Sequence, residues 1–215
     1  MKNLLIVITC FIATSCFSQK KDGLFKSKNN FTKQDTLRGS ITPERAWWDL
    51  TYYHLDIKVN PEDKTIGGKN TIQYTVLKEN NILQVDLQAP LKITKVTQNE
   101  EVLEVKHVGN AHFVTLKEKQ NIGDVNAIDV YYEGTPKKAI RAPWDGGFSW
   151  AKDENGKHFI ATSCQGLGAS VWWPNKDHPY DEPDTGLDLA ITTPSNLVAV
   201  GNGRLKKTKG SPDIS

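Results

Sequence analysis

The sequence predicts an all-β protein, and three observations support this class. Apolar and polar residues alternate in several short segments, as in residues 53–59, where Leu55, Ile57 and Val59 share one face. Turn-forming residues separate these segments at the spacing typical of β-sandwiches and barrels. No segment keeps an apolar period of about 3.6 residues for long enough to indicate a helix. The 215 residues suffice for one domain with a well-formed core.

The first two predicted strands form an antiparallel pair. Residues 53–59 run into the turn 60–64, and the alternation of Ile72, Tyr74 and Val76 then marks the partner strand. The remaining predicted strands are 83–87, 91–96, 102–106, 113–116, 128–132, 159–162, 187–191 and 198–200.

Two later regions complete the predicted topology. Residues 135–157 contain Pro136, Pro143 and a Gly-Gly pair, which predicts a long excursion without regular strands. The strands 187–191 and 198–200 are expected to return to the same sheets.

The first 18 residues are predicted to be a signal peptide. Lys2 precedes an apolar run over residues 4–13, which is too short for a membrane span, and small residues follow. Cleavage after Ser18 would release the mature protein. Residues 13–16 (ATSC) are similar to a lipobox that would place a lipid anchor on Cys16, although Leu or Val is missing three positions earlier. We expect an exported protein, periplasmic or secreted, with no membrane span and with simple cleavage favoured over lipidation.

Three further segments follow the signal peptide. Residues 19–42 are polar, mildly basic and poor in apolar side chains, which predicts a disordered arm. Residues 43–207 are predicted to form the β domain, and residues 208–215 to be a truncated tail. The formal charge of +2 is near balance, and no basic patch is interleaved with aromatic residues. These features argue against a nucleic acid as partner.

Residues 159–184 (FIATSCQGLGASVWWPNKDHPYDEPD) are the least regular stretch and the first place to look for a site. Cys164 remains alone once the signal peptide is removed, and packing explains a lone thiol at a strand end better than nucleophilic chemistry does. The segment Gly166-Leu167-Gly168 lacks the third glycine and the following helix of a dinucleotide fingerprint.

An acidic cluster in the same stretch invites a metal interpretation. Asp177, His178, Asp181 and Glu182 place three carboxylates and an imidazole within six residues. Their spacing matches no calcium loop, and acidic loops are usually only solvated. No metal ligand is therefore predicted in this chain.

The six tryptophans allow two interpretations. Exposed tryptophans form the stacking platforms of carbohydrate-binding sandwiches, which would suit a stand-alone secreted β-sandwich that binds glycan or protein. Alternatively they fill the core beneath long loops or contact a neighbouring domain, and this second interpretation is favoured.

Several motifs occur in the order and spacing of a known family. They are YHLDIKV at 53–59, IGGK at 66–69, IDVYYEG at 128–134, TSCQG at 162–166, WP at 173–174, DEP at 181–183, the strand 187–191, Pro194 and GNG at 201–203. Together they resemble the amino-terminal β domain of the zinc aminopeptidase-N and leukotriene-hydrolase metallopeptidases. The resemblance covers residues 47–205. It implies a saddle-like antiparallel sandwich.

The resemblance also implies a function. The family residue that matches Gln165, followed here by Gly166, helps to bind the substrate's free amino group, so these two are the expected substrate-binding residues. The alternative is a purely structural role, in which the Gln165 side chain caps backbone groups of its own loop. The implied partners are a peptide amino terminus and a catalytic domain, normally in the same chain.

The family's catalytic motifs have no counterpart here. The only methionine is Met1, and no two of the five histidines are four residues apart, as a helical zinc-binding pair requires. No catalytic residue is therefore expected in this chain, which looks truncated before the catalytic domain. Zinc is expected only in the intact parent enzyme, a zinc aminopeptidase.

Overall fold

A computed structural model describes residues 31–210. The predicted signal peptide and residues 211–215 of the predicted tail lie outside this part. A compact unit begins at Lys33. Of the helices in the described part, none combines the length and the apolar character needed to cross a membrane.

Residues 31–210 contain two short helices, one 3-10 turn at Ala169–Val171 and eleven strands. The helices are α1 (Lys33–Gly39) and α2 (Pro43–Ala46). The strands are β1 (Trp48–Asn60), β2 (Thr65–Val76), β3 (Asn80–Asp86), β4 (Lys92–Gln98), β5 (Glu101–Val102), β6 (Glu104–Val108), β7 (Ala111–Gln120), β8 (Val125–Gly134), β9 (Gly147–Lys152), β10 (His158–Ser163) and β11 (Leu187–Thr192).

The strands form three sheets. A six-stranded sheet has the order β11-β1-β2-β8-β4-β5, a three-stranded sheet has the order β3-β7-β6, and β9 and β10 form a separate hairpin. Side chains of the two larger sheets share one core, in which Leu55 and Val130 belong to the first sheet and Leu83 and Val114 to the second. The predicted all-β antiparallel class is confirmed, and the pair β1–β11 is parallel.

Alternation along β1 explains why it lies in the sheet as it does. Leu55 and Ile57 are buried, whereas the intervening Asp56 is exposed, because successive side chains of a strand point to opposite faces. The predicted antiparallel pairing with the strand of Ile72 is confirmed, and it places Tyr53 opposite Ile72.

Two strand predictions are wrong. The excursion predicted for residues 135–157 contains β9, whose Phe148 side chain is buried in the core. Residues 198–200 form no strand, and Val198 and Val200 are 89% and 86% exposed. No strand within residues 31–210 pairs with this segment, so its short alternation of apolar residues does not produce a strand.

The arm predicted over residues 19–42 is ordered in its second half, where α1 lies. Gln34 explains the difference: its Nε2 donates to the carbonyl of Val108 at 3.1 Å, and its Oε1 accepts from the amide of Asn110 at 3.2 Å. This order comes from contacts with distant residues and not from an apolar helical face, since no residue of α1 is buried. Residues 19–30 lie outside the described part.

Gly68 in β2 is required by a close backbone approach. A Cβ at this position would lie 2.0 Å from the carbonyl oxygen of Asp56 on β1. Because backbone atoms of a paired strand cannot move aside cheaply, Gly68→Ala is expected to lower the free energy of unfolding by about 1–3 kcal/mol. Urea denaturation would measure it.

The matched control is Gly39→Ala, because a Cβ there would meet no atom within 4 Å. This control is expected to keep the parent midpoint. An unchanged midpoint for Gly68→Ala would contradict the close approach.

Candidate functional site

The irregular stretch after β10 crosses both larger sheets and is fixed to each by buried hydrogen bonds. Asn175 exchanges two backbone hydrogen bonds with Asp86 of β3, at 2.8 and 3.1 Å. Asn70 of β2 donates to the carbonyl of Pro174 at 2.8 Å. The ring of Trp173 packs edge-on against Tyr53 of β1. This part of the stretch is therefore part of the core structure and not a mobile loop.

A buried ion pair links helix α2 to the same region. Arg45 donates to the Asp86 carboxylate at 2.5 Å, and both side chains are almost fully buried. Gln84 and the amide of Asp177 also donate to this carboxylate, at 2.9 and 3.2 Å. Burial raises the pKa of Asp86, while Arg45 and the other donors oppose that rise by stabilising the ionised form.

A second buried cation holds the following turn. The Lys176 ammonium donates to the Trp48 carbonyl at 2.6 Å, lies 4.0 Å from the centre of the Trp48 ring and pairs with the Asp181 carboxylate. Burial lowers the pKa of Lys176, and Asp181 counteracts this effect.

The acidic cluster is thus used for structure. Asp181 pairs with Lys176, and Asp177 accepts a hydrogen bond from Ser170. The Nδ1 of His178 accepts from the amide of Tyr180 at 3.3 Å. Within residues 31–210, no group of three or more His, Cys, Asp or Glu side chains is placed to hold a metal ion.

The expected substrate-binding residues lie at an exposed tip. The carbonyl of Cys164 accepts from the amides of Leu167 and Gly168, at 3.1 and 2.9 Å, and so closes a tight turn around Gln165 and Gly166. Gly166 has a φ of +70°, which favours glycine. Neither Gln165 nor Gly166 is buried.

Helix α1 fixes this tip from one side. Arg38 donates to the carbonyl of Gly166 at 2.9 Å. Among the described residues, none forms a hydrogen bond with the Gln165 side chain. The alternative in which Gln165 caps its own loop is therefore not what the structure shows.

A second loop, which the sequence analysis missed, lies beside the tip. The Asp145 carboxylate accepts from the amides of Ile140 and Arg141, at 2.6 and 2.9 Å, and its carbonyl accepts from Ser163. The only sequence signal is the Asp-Gly-Gly step, because an aspartate that binds nearby amides is typical of tight turns.

This closed loop presents an apolar tip. Ile140 and Trp144 are 85% and 73% exposed. A Cβ on Gly146 would lie 2.7 Å from the Cβ of Leu167, so the loop packs directly against the turn that carries Gln165. The loop and the turn therefore lie side by side.

The other tryptophans belong mainly to the core. Trp47, Trp48 and Trp173 are buried, and Trp150 and Trp172 are partly buried against the core. Core filling therefore describes most of them, and Trp144 is the one that is largely exposed. Cys164 directly follows β10 and is exposed as a residue, while burial raises the pKa of its thiol, which also contacts Trp172.

The two larger sheets with their shared core, and the separate β9–β10 hairpin, define an all-β domain. Residues 50–213 match the model of the Peptidase M1 N-terminal domain, and the chain belongs to this family. The predicted family and the predicted fold are both confirmed.

Solved structures of two enzymes share the fold. The M1 zinc metallopeptidase from Deinococcus radiodurans matches with a TM-score of 0.62 and 18% identity over 79% of this chain and 38% of that chain. Yeast LTA4 hydrolase matches with a TM-score of 0.58 and 17% identity over 78% of this chain and 26% of that chain. This chain thus covers less than half of either enzyme. No curated protein matches it.

Proposed function

We propose that this chain is the amino-terminal, substrate-cleft-lining domain of an exported zinc aminopeptidase. Its family supports the domain type, and one matching structure is an M1 zinc metallopeptidase bound to a Tyr-Ser-Ala substrate. The amino-terminal sequence, with its short apolar run, supports export. The zinc and the groups that activate water belong to a catalytic domain of the same enzyme, which would normally follow in the same chain.

The observation that carries the proposal is the Gln165 tip. Its carboxamide is exposed and has no partner among the described residues, while Arg38 and the turn hold its backbone in place. A carboxamide oxygen accepts hydrogen bonds, and a substrate's terminal ammonium offers three donors. Gln165 would therefore orient the peptide amino terminus, with the backbone of Gly166 close to it.

The neighbouring apolar tip supports a domain partner. Exposed aromatic and aliphatic side chains on a rigid loop are typical of interface cores. Ile140 and Trp144 would be covered by the catalytic domain, which places Gln165 at the edge of the cleft between the domains. In this arrangement the β domain also limits which substrates enter.

The test uses the enzyme with its catalytic domain and aminoacyl anilide substrates. Gln165→Ala is expected to raise KM about tenfold, because a hydrogen bond to a charged group contributes about 1.5 kcal/mol and 1.4 kcal/mol corresponds to a factor of ten. Gln165→Glu is expected to keep KM at or below the value of the parent enzyme, since a carboxylate binds an ammonium more strongly than a carboxamide does.

The matched control is Asn155→Ala, an exposed amide in the turn between β9 and β10. It should leave KM and kcat unchanged. If Gln165→Ala binds substrate as the parent does, Gln165 has no role in recognition. If no form of the enzyme cleaves aminoacyl anilides while a soluble glycan quenches Trp144 fluorescence, the binding-module alternative is favoured.

A further inference from the structure

Two histidines face each other across the β6–β7 hairpin, far along the chain from the Gln165 tip. His107 and His112 are directly opposed residues of the two strands. Their Nδ1 atoms are 2.7 Å apart, and their ring centres are 4.9 Å apart at an angle of 76°. The proposed function uses neither side chain.

The hydrogen bonds fix the protonation of the inner ring. The Nε2 of His112 lies 3.1 Å from the carbonyl oxygen of Leu87, which can only accept, so Nε2 carries the proton. The lone pair of His112 therefore lies on Nδ1 and points towards His107.

This arrangement is the usual environment of a metal-binding imidazole. A ligating histidine commonly donates its other ring N–H to a backbone carbonyl, which sets the ring orientation and the tautomer. His112 has this feature without any metal. His107 is exposed at the outer strand of its sheet, so it can move its own proton from Nδ1 to Nε2, where solvent accepts the N–H.

We propose that His107 and His112 form a bidentate site for a divalent transition metal, with Cu²⁺ bound most tightly. The two Nδ1 atoms are 2.7 Å apart because they share a hydrogen bond, so a metal on the His112 lone pair would replace that proton and the exposed His107 ring would turn until its own lone pair met the ion. Two nitrogens that bind a metal at about 2.0 Å and at a right angle lie about 2.8 Å apart, so this turn can keep their separation nearly unchanged. Neighbouring positions of a square-planar Cu²⁺ ion meet this requirement, and water would fill the other positions. A tetrahedral Zn²⁺ ion would require the nitrogens to move further apart.

The accessible partner makes the site testable without disturbing the core. Full-length protein is titrated with CuSO₄, and the electron paramagnetic resonance spectrum is recorded. We expect one copper ion whose spectrum shows coupling to two nitrogens, and affinities in the order Cu²⁺ above Ni²⁺ above Zn²⁺. His107→Gln is expected to weaken the binding of this copper ion at least about tenfold, since the substitution removes one of the two ligands.

The control is His54→Gln, which removes an exposed histidine on β1 from a protein with the same amino terminus. Copper bound at the terminus or elsewhere is then common to all three proteins. Thermal melting checks that His107→Gln remains folded. The proposal is overturned if His107→Gln keeps the copper affinity and the spectrum of the parent protein. It is also overturned if His54→Gln lowers the copper affinity as much as His107→Gln does. Neither result bears on peptide hydrolysis, so this proposal and the proposed function fail separately.

Discussion

Replacing Asp86 by alanine is expected to lower the free energy of unfolding by about 3–5 kcal/mol, because it leaves the Arg45 guanidinium buried without its counter-charge. Arg45 is completely buried, and its ion pair joins α2 to β3. The substitution also removes the acceptor for Gln84 and for the amide of Asp177. Denaturation in urea, followed by tryptophan fluorescence, would measure the loss.

A second variant separates the charge from the cavity. Arg45→Met with Asp86→Leu replaces the pair by apolar groups of similar length and is expected to recover most of the loss, since buried ion pairs contribute little over well-packed hydrophobic residues. Lys206→Ala is the control for an exposed pair, with Asp188, and should cause no measurable change. A loss from Asp86→Ala no larger than that of the control would contradict the importance of the buried pair.

The sequence was sufficient for elements whose signal is local. Alternation in residues 53–59 predicted β1 because its period is visible within one strand. Helix α1 was missed because its order depends on Gln34 binding Val108, 74 residues away. The residues 198–200 show the converse case, in which local alternation exists but no paired strand supports it.

The sequence indicated where the candidate site lies better than it indicated the contacts that hold the site in place. The family resemblance selected Gln165, yet the contact that fixes its turn comes from Arg38, 128 residues earlier. Asp181 was considered as a metal ligand because the sequence does not show that its carboxylate pairs with Lys176. In an isolated loop both side chains could equally be solvated. Which carboxylates are paired depends on burial, and burial is a property of the folded chain.

Asp181→Asn is the substitution with the second large expected effect. Its side chain and that of Lys176 are 6% and 0% exposed, so the variant leaves a buried ammonium without a counter-charge in contact. The Trp48 carbonyl and ring and the Tyr180 hydroxyl, at 3.4 Å, remain as its partners. Breaking a buried pair in this way is expected to cost about 3–5 kcal/mol at neutral pH. Urea denaturation would measure the cost, and Glu182→Gln, an adjacent exposed carboxylate, should leave stability unchanged.

The pH dependence of Asp181→Asn identifies the cause. Burial lowers the pKa of Lys176 below its usual value of 10.5, and removal of Asp181 lowers this pKa further. The unfolded chain then binds the proton more tightly than the folded one, so stability rises as pH rises through the folded pKa towards 10.5. The loss in free energy of unfolding caused by Asp181→Asn should therefore shrink between neutral pH and pH 10.5. The loss should be small in the double variant Lys176→Met with Asp181→Asn, because no ammonium remains there. A deficit that is constant across this range would show that lost packing, and not the unpaired charge, destabilises the turn.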